Sequence, residues 1–280
     1  MTGMLQFGSR AGAGGGWRGD FPLAAGATQR TLDLRGLGDC HPMFLVRMRT
    51  FLEWHQREGS PIEVLTPTDP AVAGHLGAME VFQGLELSLD RAPEPTHGTT
   101  VLPLRTVDDS SGIEDLADEG VRAVEARGKA VARLASPFHM AVGELGDNAV
   151  THGRSDLGVR VAASIGESGR GVEFAIGDLG VGIPNHIRQT HPEWGDDTAA
   201  IAKALETGVS GVRDPQRGNG FFHIQDAALT ARLSAAQMEI YAANGFLRLQ
   251  IVQASFVPTP LNATAHKRGT WISYSLISTG

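Results

Sequence analysis

Glu144-Leu145-Gly146-Asp147-Asn148-Ala149-Val150-Thr151-His152 is the stretch that decides how this chain is read. It has the pattern of a helix. Glu144, Asn148 and His152 recur every four residues and therefore share one face, with apolar Leu145, Ala149 and Val150 beside it. A face turned to the core would be apolar. An unpartnered buried amide alone costs about 2–7 kcal/mol, so a face of carboxylate, amide and imidazole wants either a ligand or solvent. The Asn148 amide oxygen is a hard donor of the kind Mg²⁺ accepts, an ion that also keeps waters and takes phosphate oxygens. The Glu144 carboxylate, one turn away, suits a group that orients a nucleophile beside the phosphate.

Three later elements extend the pattern. Asp178-Leu179-Gly180-Val181-Gly182-Ile183-Pro184 follows the strand Phe174-Ala175-Ile176-Gly177. A short carboxylate at a strand end can accept from an exocyclic amine, and glycines at alternate positions let the backbone approach a flat ring. Arg217-Gly218-Asn219-Gly220-Phe221 precedes a helix, where backbone amides and the helix dipole favour an anion. It is neither a P-loop nor a dinucleotide-binding fingerprint. Gly269-Thr270 opens the last strand and means nothing by itself.

Outward from these elements the chain divides in two. Residues 1–27, rich in Gly, Ala and Arg, read as a flexible tail. From 28 to 90 the order is strand (31–34), helix (43–57, behind Pro42), strand (62–65) and helix (from 70), a small α/β domain. Residues 91–100, with Pro93, Pro95 and Gly98, read as a linker. From 101 onward the pattern is a strand at 101–107, helices at 113–133 and 137–150, and strands at 158–165 and 172–177. A long stretch of little strand character, 179–220, comes next. It is followed by a helix at 221–230 and strands near 231–234, 237–242, 246–252 and 270–275. This is a mixed sheet backed by helices. A long insertion in a compact domain is usually a functional lid, and residues 185–216 fill that place, with a short helix at 199–205.

Taken together and in this order, the four elements resemble the N, G1, G2 and terminal Gly-Thr elements of the gyrase, chaperone, histidine-kinase and MutL (GHKL) ATPase superfamily, the Bergerat fold. The resemblance covers residues 101–280. It implies a two-layer α/β sandwich that binds ATP through Mg²⁺. By motif position, Asn148 is expected on the metal, Glu144 as the catalytic residue that activates or orients the nucleophile, and Asp178 on the adenine amine. Gly180 and Gly182 are expected at the base, and Thr270 at the adenine end. Gly218 and Gly220 are expected at the phosphates, and His152 near them. Arg217 is either a γ-phosphate contact or a surface arginine.

Glu-Leu-x-x-Asn-Ala-x-x-His-Gly and Arg-Gly-Asn-Gly look most like the anti-sigma-factor serine kinases. Leu32-Asp33-Leu34-Arg35-Gly36-Leu37, followed by Asp39-Cys40-His41-Pro42, resembles a STAS domain, the fold of anti-sigma-factor antagonists. That family's regulated members carry a phosphorylatable serine just after the aspartate, where Cys40 and His41 stand here. The implied function is a serine/threonine protein kinase or ATPase acting on a protein partner, a STAS protein or a sigma-factor regulator. The alternatives are a nucleotide-gated interaction module and the catalytic half of a histidine-kinase system. A homodimer is compatible with either.

Composition sets the outer limits. The chain has 280 residues, 41% hydrophobic and 20% charged, which suits folded domains rather than long disorder. A net charge of −7 lacks the broad basic surface that direct nucleic-acid binding needs. One cysteine, Cys40, forms no internal disulfide and fits a reducing cytoplasm. No apolar run approaches the roughly 20 residues of a membrane span, so a cytoplasmic protein without membrane contact is expected.

Overall fold

The computed structural model describes residues 3–6, 29–60, 62–96, 98–166, 168–206, 209, 219–252 and 255–279, with the side chains of 3–6, 29–30 and 262–267 left aside. The first unit is a four-stranded parallel sheet in the order β1 (Gly3–Gln6), β2 (Gln29–Asp33), β3 (Glu63–Leu65), β4 (Ser88–Leu89). Helix α1 (Pro42–Arg57) joins β2 to β3, and α2 (Pro70–Ala78) lies between β3 and β4. The helices and the two inner strands fall where the hydrophobic periodicity puts them. The four residues of β1 lie inside the stretch read as a tail. An unpaired strand edge offers hydrogen-bond partners to any short segment that reaches it, and β1 runs parallel along β2. The rest of that stretch lies outside the described residues.

The second unit is an α/β sandwich. Its sheet has the order β5 (Thr100–Val107), β6 (Val159–Ile165), β7 (Gly171–Asp178), β9 (Ser255–Ile277), β8 (Ala235–Val252). Every pairing is antiparallel, so the sheet is not mixed as the sequence suggested. The β6–β7 and β8–β9 pairs are hairpins, which bring neighbouring strands together in opposite directions. The strand expected at 231–234 is a turn, with Arg232 at φ 50°. The strands expected at 237–242 and 246–252 are one strand, β8, irregular at Ala243. Helices α3 (Ser110–Glu125), α5 (Ala135–Asn148) and α8 (Gly220–Thr230) cover one face. The helix expected over 113–133 breaks at Gly128 (φ 98°), leaving a short α4 (Lys129–Ala132).

Period-two alternation along the strands loads both faces. Val161, Val172, Phe174, Ile176, Ile240, Ile272 and Tyr274 point into the core beneath α3 and α5. On the opposite face Ala162, Ala175, Tyr241 and Trp271 belong to a second core, shared with Phe44, Leu45, Val46, Met48, Phe51 and Leu52 of α1. Ala162, Ala175 and Gly177 are small, which lets the helix come close. A methyl group at Gly177 would lie 2.4 Å from the Trp271 ring and 2.9 Å from Val46 Cγ1. Helix α1 is therefore buried nearly all round, and the two units share one core across it. Residues 93–96 lie along α2, where Thr96 N donates to Gly74 O at 2.9 Å.

Polar contacts pin α1 to the sheet. Buried Arg160 of β6 pairs with Glu53, which also pairs with Arg49. Arg268 lies over the Trp54 ring at 5.2 Å and donates to Leu179 O at 3.1 Å. Cys40 is buried, and burial raises its thiol pKa far above the usual range. His41, at the N-terminal boundary of α1, bridges Asp39 through Nε2 at 3.0 Å and Glu173 of β7 through Nδ1 at 3.0 Å. Among the described residues no helix is long and apolar enough to cross a membrane.

The hydrogen bonds to Asp39 and then Glu173 push His41 up to about 10. A histidine whose folded pKa is raised stabilises fully below its unfolded pKa, about 6.5, and loses that contribution as pH rises through the folded value. In urea melts, His41→Ala is expected to be less stable than the wild type by about 1–3 kcal/mol at pH 6.5. The difference should shrink steadily toward pH 10. A difference constant across that range would mean that the ring only packs.

Candidate functional site

Helix α5 carries Glu144 and Asn148 on one face, and a single π turn, Ala149–Gly153, continues it. Such turns interrupt the regular ladder and occur often at functional sites. The turn ends at Arg154, in the left-handed region at φ 55°. Strand β7 ends at Asp178, opposite Thr270 of β9. Between these elements and the start of α8 lies a cavity of about 340 Å³, within the range of small-molecule sites. Glu144, Asn148, His152, Asp178, Gly182, Gly220 and Thr270 all line it. Most of the residues singled out in the sequence are thus brought to one place.

Asp178 is the most buried carboxylate of the lining. The residue is 1% exposed. Gly180 N donates to Oδ1 at 2.7 Å. Burial raises its pKa to about 6, with the amides of Gly180 and Thr270 acting in the opposite direction. A buried carboxylate with few donors around it is suited to meeting a donor on a ligand.

Gly180 does not line the cavity. Its glycine serves a close approach instead. A methyl group there would lie 1.6 Å from Gly153 O and 2.9 Å from Asp178 Oδ1. Next to it, Val181 N donates to Gly153 O at 2.8 Å. The end of the π turn is thereby clamped to the end of β7. Gly182, at φ 75°, turns the chain into the short helix α6 (Ile183–Ile187).

At the other end α8 begins at Gly220. A methyl group there would lie 2.7 Å from Glu144 Oε2 and 3.3 Å from Asn148 Nδ2, so glycine leaves room around both side chains. Arg217 and Gly218 lie outside the described residues. Of the stretch 185–216, expected as a lid, residues 207–208 and 210–216 lie outside the described residues. Helix α7 (Asp197–Ala204) is packed on β8, with Ala200 and Ile201 fully buried. Asp197 Oδ2 accepts from Asn244 N at 2.9 Å.

Two histidines escaped the sequence reading. His186 of α6 stacks on His152, with ring centroids 4.5 Å apart. Burial, then the neighbouring His152 and Arg154, lowers its pKa, favouring the neutral ring. His223 of α8 places Nδ1 2.7 Å from Glu144 Oε1. Both line the cavity. Neither sits in a spacing pattern, and only the fold brings them to the site.

The charge of the lining is one-sided. Glu144, Asp147 and Asp178 line the cavity, and among the described residues no Lys or Arg does. No cluster of three or more His, Cys, Asp or Glu among the described residues could hold a metal. A cation here would have to share its shell with a ligand's own oxygens.

No protein-family model matches the chain, and no curated protein matches it. Among solved structures, the B-subunit of the DNA gyrase from Myxococcus xanthus aligns with 57% of this chain and 38% of that chain, at 14% identity and a TM-score of 0.29.

The two glycines make a contrast that melting curves can read. Gly180→Ala drives a methyl into backbone, so the π turn and β7 must separate. A loss of more than about 3 kcal/mol is expected. In Gly220→Ala the methyl meets the far end of a flexible side chain, and stability should change by less than about 1 kcal/mol. Equal losses in the two would refute the clamp.

Proposed function

We propose that the chain binds ATP with Mg²⁺ in this cavity and passes the γ-phosphoryl group to an acceptor, water or a hydroxyl on a partner protein. The observation that carries the proposal is the pairing of ends. A buried carboxylate, Asp178, closes one end. Glu144, Asn148 and the glycine start of α8 make the other. The first suits the exocyclic amine of adenine. The second suits phosphates, because the free amides of a helix start attract anions.

The donor set fits Mg²⁺ in particular. Three carboxylates line the cavity without a described Lys or Arg, so a polyphosphate needs a cation to enter. Asn148 supplies one hard oxygen. Mg²⁺ characteristically takes its remaining ligands from water and phosphate rather than from an all-protein cage. When bound it would neutralise charge on the phosphates. Glu144 would then orient the attacking hydroxyl, and Asp178 and Thr270 would hold the base. Phosphoryl transfer depends chiefly on such positioning and charge stabilisation.

The kind of acceptor rests on the motifs alone. Glu144-Leu145 with Asn148-Ala149 and His152-Gly153, and Arg217-Gly218-Asn219-Gly220, favour a serine or threonine of a partner in an anti-sigma-like system. The STAS resemblance of residues 28–90 points the same way. By that resemblance, Cys40, which is buried, and His41, which is held by two carboxylates, stand where the family's regulated members carry their phosphorylatable serine.

Calorimetric titration with ATP, with and without Mg²⁺, tests the binding. Asn148→Ala should abolish the Mg²⁺-dependent gain in affinity, and Asp178→Asn should weaken ATP at least tenfold. Labelled ATP then separates hydrolysis from transfer, and Glu144→Ala should remove either. Tight binding with neither reaction would leave a nucleotide-gated module.

Asp178 makes the binding pH-dependent. The carboxylate accepts from the amine when ionised, so affinity should rise as pH increases through about 6 and level off above 7. In the free protein the raised pKa has the opposite consequence. The folded state holds the extra proton between about 3.9 and 6, so this group's contribution to stability falls as pH rises through that window. Asp178→Asn should flatten the affinity profile. An unchanged profile in that variant would exclude Asp178 as the titrating group.

A further inference from the structure

We propose that His223 is the positioning residue of Glu144, holding one carboxylate oxygen so that the other faces the acceptor. The inference rests on the phosphoryl-transfer reading above and adds to it a residue from a different helix. The two side chains come from α5 and α8, and only their packing brings Nδ1 within 2.7 Å of Oε1. An ionised carboxylate has no proton to give, so the Nδ1 proton must donate to Oε1. Oε2 stays free. It faces Gly220, where a methyl group would stand 2.7 Å away, so the absence of a side chain keeps that oxygen open. His223 and Glu144 both line the cavity.

A half-buried glutamate that faces a cavity has several rotamers of similar energy. Only one of them points its oxygen at a bound acceptor. The His223 bond selects among them before the substrate arrives, and preorganisation of this kind is what small displacements at a site destroy. In the transfer itself the acceptor O–H bond breaks and its proton goes to Glu144 Oε2. The acceptor oxygen bonds to the γ-phosphorus, and the β–γ bridging oxygen leaves with ADP. The proton is then released to solvent from Glu144. His223 neither gains nor loses a proton in this sequence. It holds Oε1 throughout.

The test has two independent readouts on the full chain. Ring ¹⁵N spectra of the nucleotide-free protein at pH 8, assigned by comparison with His223→Leu, should show His223 as the Nδ1–H tautomer. Glu144→Ala should shift it toward the Nε2–H form. For turnover, His223→Leu should lower kcat roughly 10–100-fold while the affinity for ATP stays within about twofold. His223→Asn places an amide N–H near the position of Nδ1 and should restore most of that loss. Circular dichroism of each variant confirms folding. The same tautomer with and without Glu144, or an unchanged kcat in His223→Leu, overturns the proposal. If the wild type binds ATP without any turnover, the transfer reading fails, and the spectra still decide whether His223 holds Glu144.

Discussion

The contact between Gly180 and the carbonyl of Gly153 is the constraint on which the site depends. It joins the end of a helix to the end of a strand with no side chain between them. A residue with a Cβ would push the π turn off β7 and move Asn148 and Asp178 apart, since one lies before the turn and the other at the strand end. The two carry the opposite ends of the cavity. Their separation is therefore set by backbone against backbone, the least adjustable contact a protein has. The hydrogen bond from Val181 N to the same carbonyl fixes the direction of approach. Everything that faces the cavity from the helix side hangs on that joint.

The opposite wall is set differently. Helix α8 meets α5 at Gly220, where the open space around Glu144 Oε2 and Asn148 Nδ2 depends on the lack of a side chain. The same helix contributes the His223 ring to Glu144. One wall is thus joined by rigid backbone and the other by exchangeable side-chain contacts. A shift of α8 would change the surroundings of Glu144 and Asn148 while leaving Asp178 where it is.

Local patterns were legible wherever they repeat. The four-residue recurrence of Glu144, Asn148 and His152 marks a polar helix face, and all three reach the cavity. Asp178 at a strand end was legible because Phe174-Ala175-Ile176-Gly177 has the composition of a buried strand. What escaped was tertiary. Nothing near His223 announces that its ring meets a carboxylate 79 residues earlier. Gly180 was read as making room for a ring, whereas it makes room for the Gly153 carbonyl, and a glycine alone does not say what approaches it. Pro258 and Pro260 obscured the first half of β9, because proline is rare inside strands. Here they stand in a hairpin opposite Leu249 and Leu247. The role of Ala162, Ala175 and Gly177 emerges only when α1 is seen lying over them.

That last arrangement ties the first unit to the site. Along β7 and the residues after it, side chains alternate in direction. Asp178 turns toward the cavity, while Ala175 and Leu179 belong to the core that contains α1. Gly177 sits against Val46 and Trp271. Arg268 lies over Trp54 of α1 and donates to the carbonyl of Leu179, one residue beyond Asp178. The first unit therefore braces the Asp178 end of the strand from behind. Its layer also keeps water from the back of the sheet.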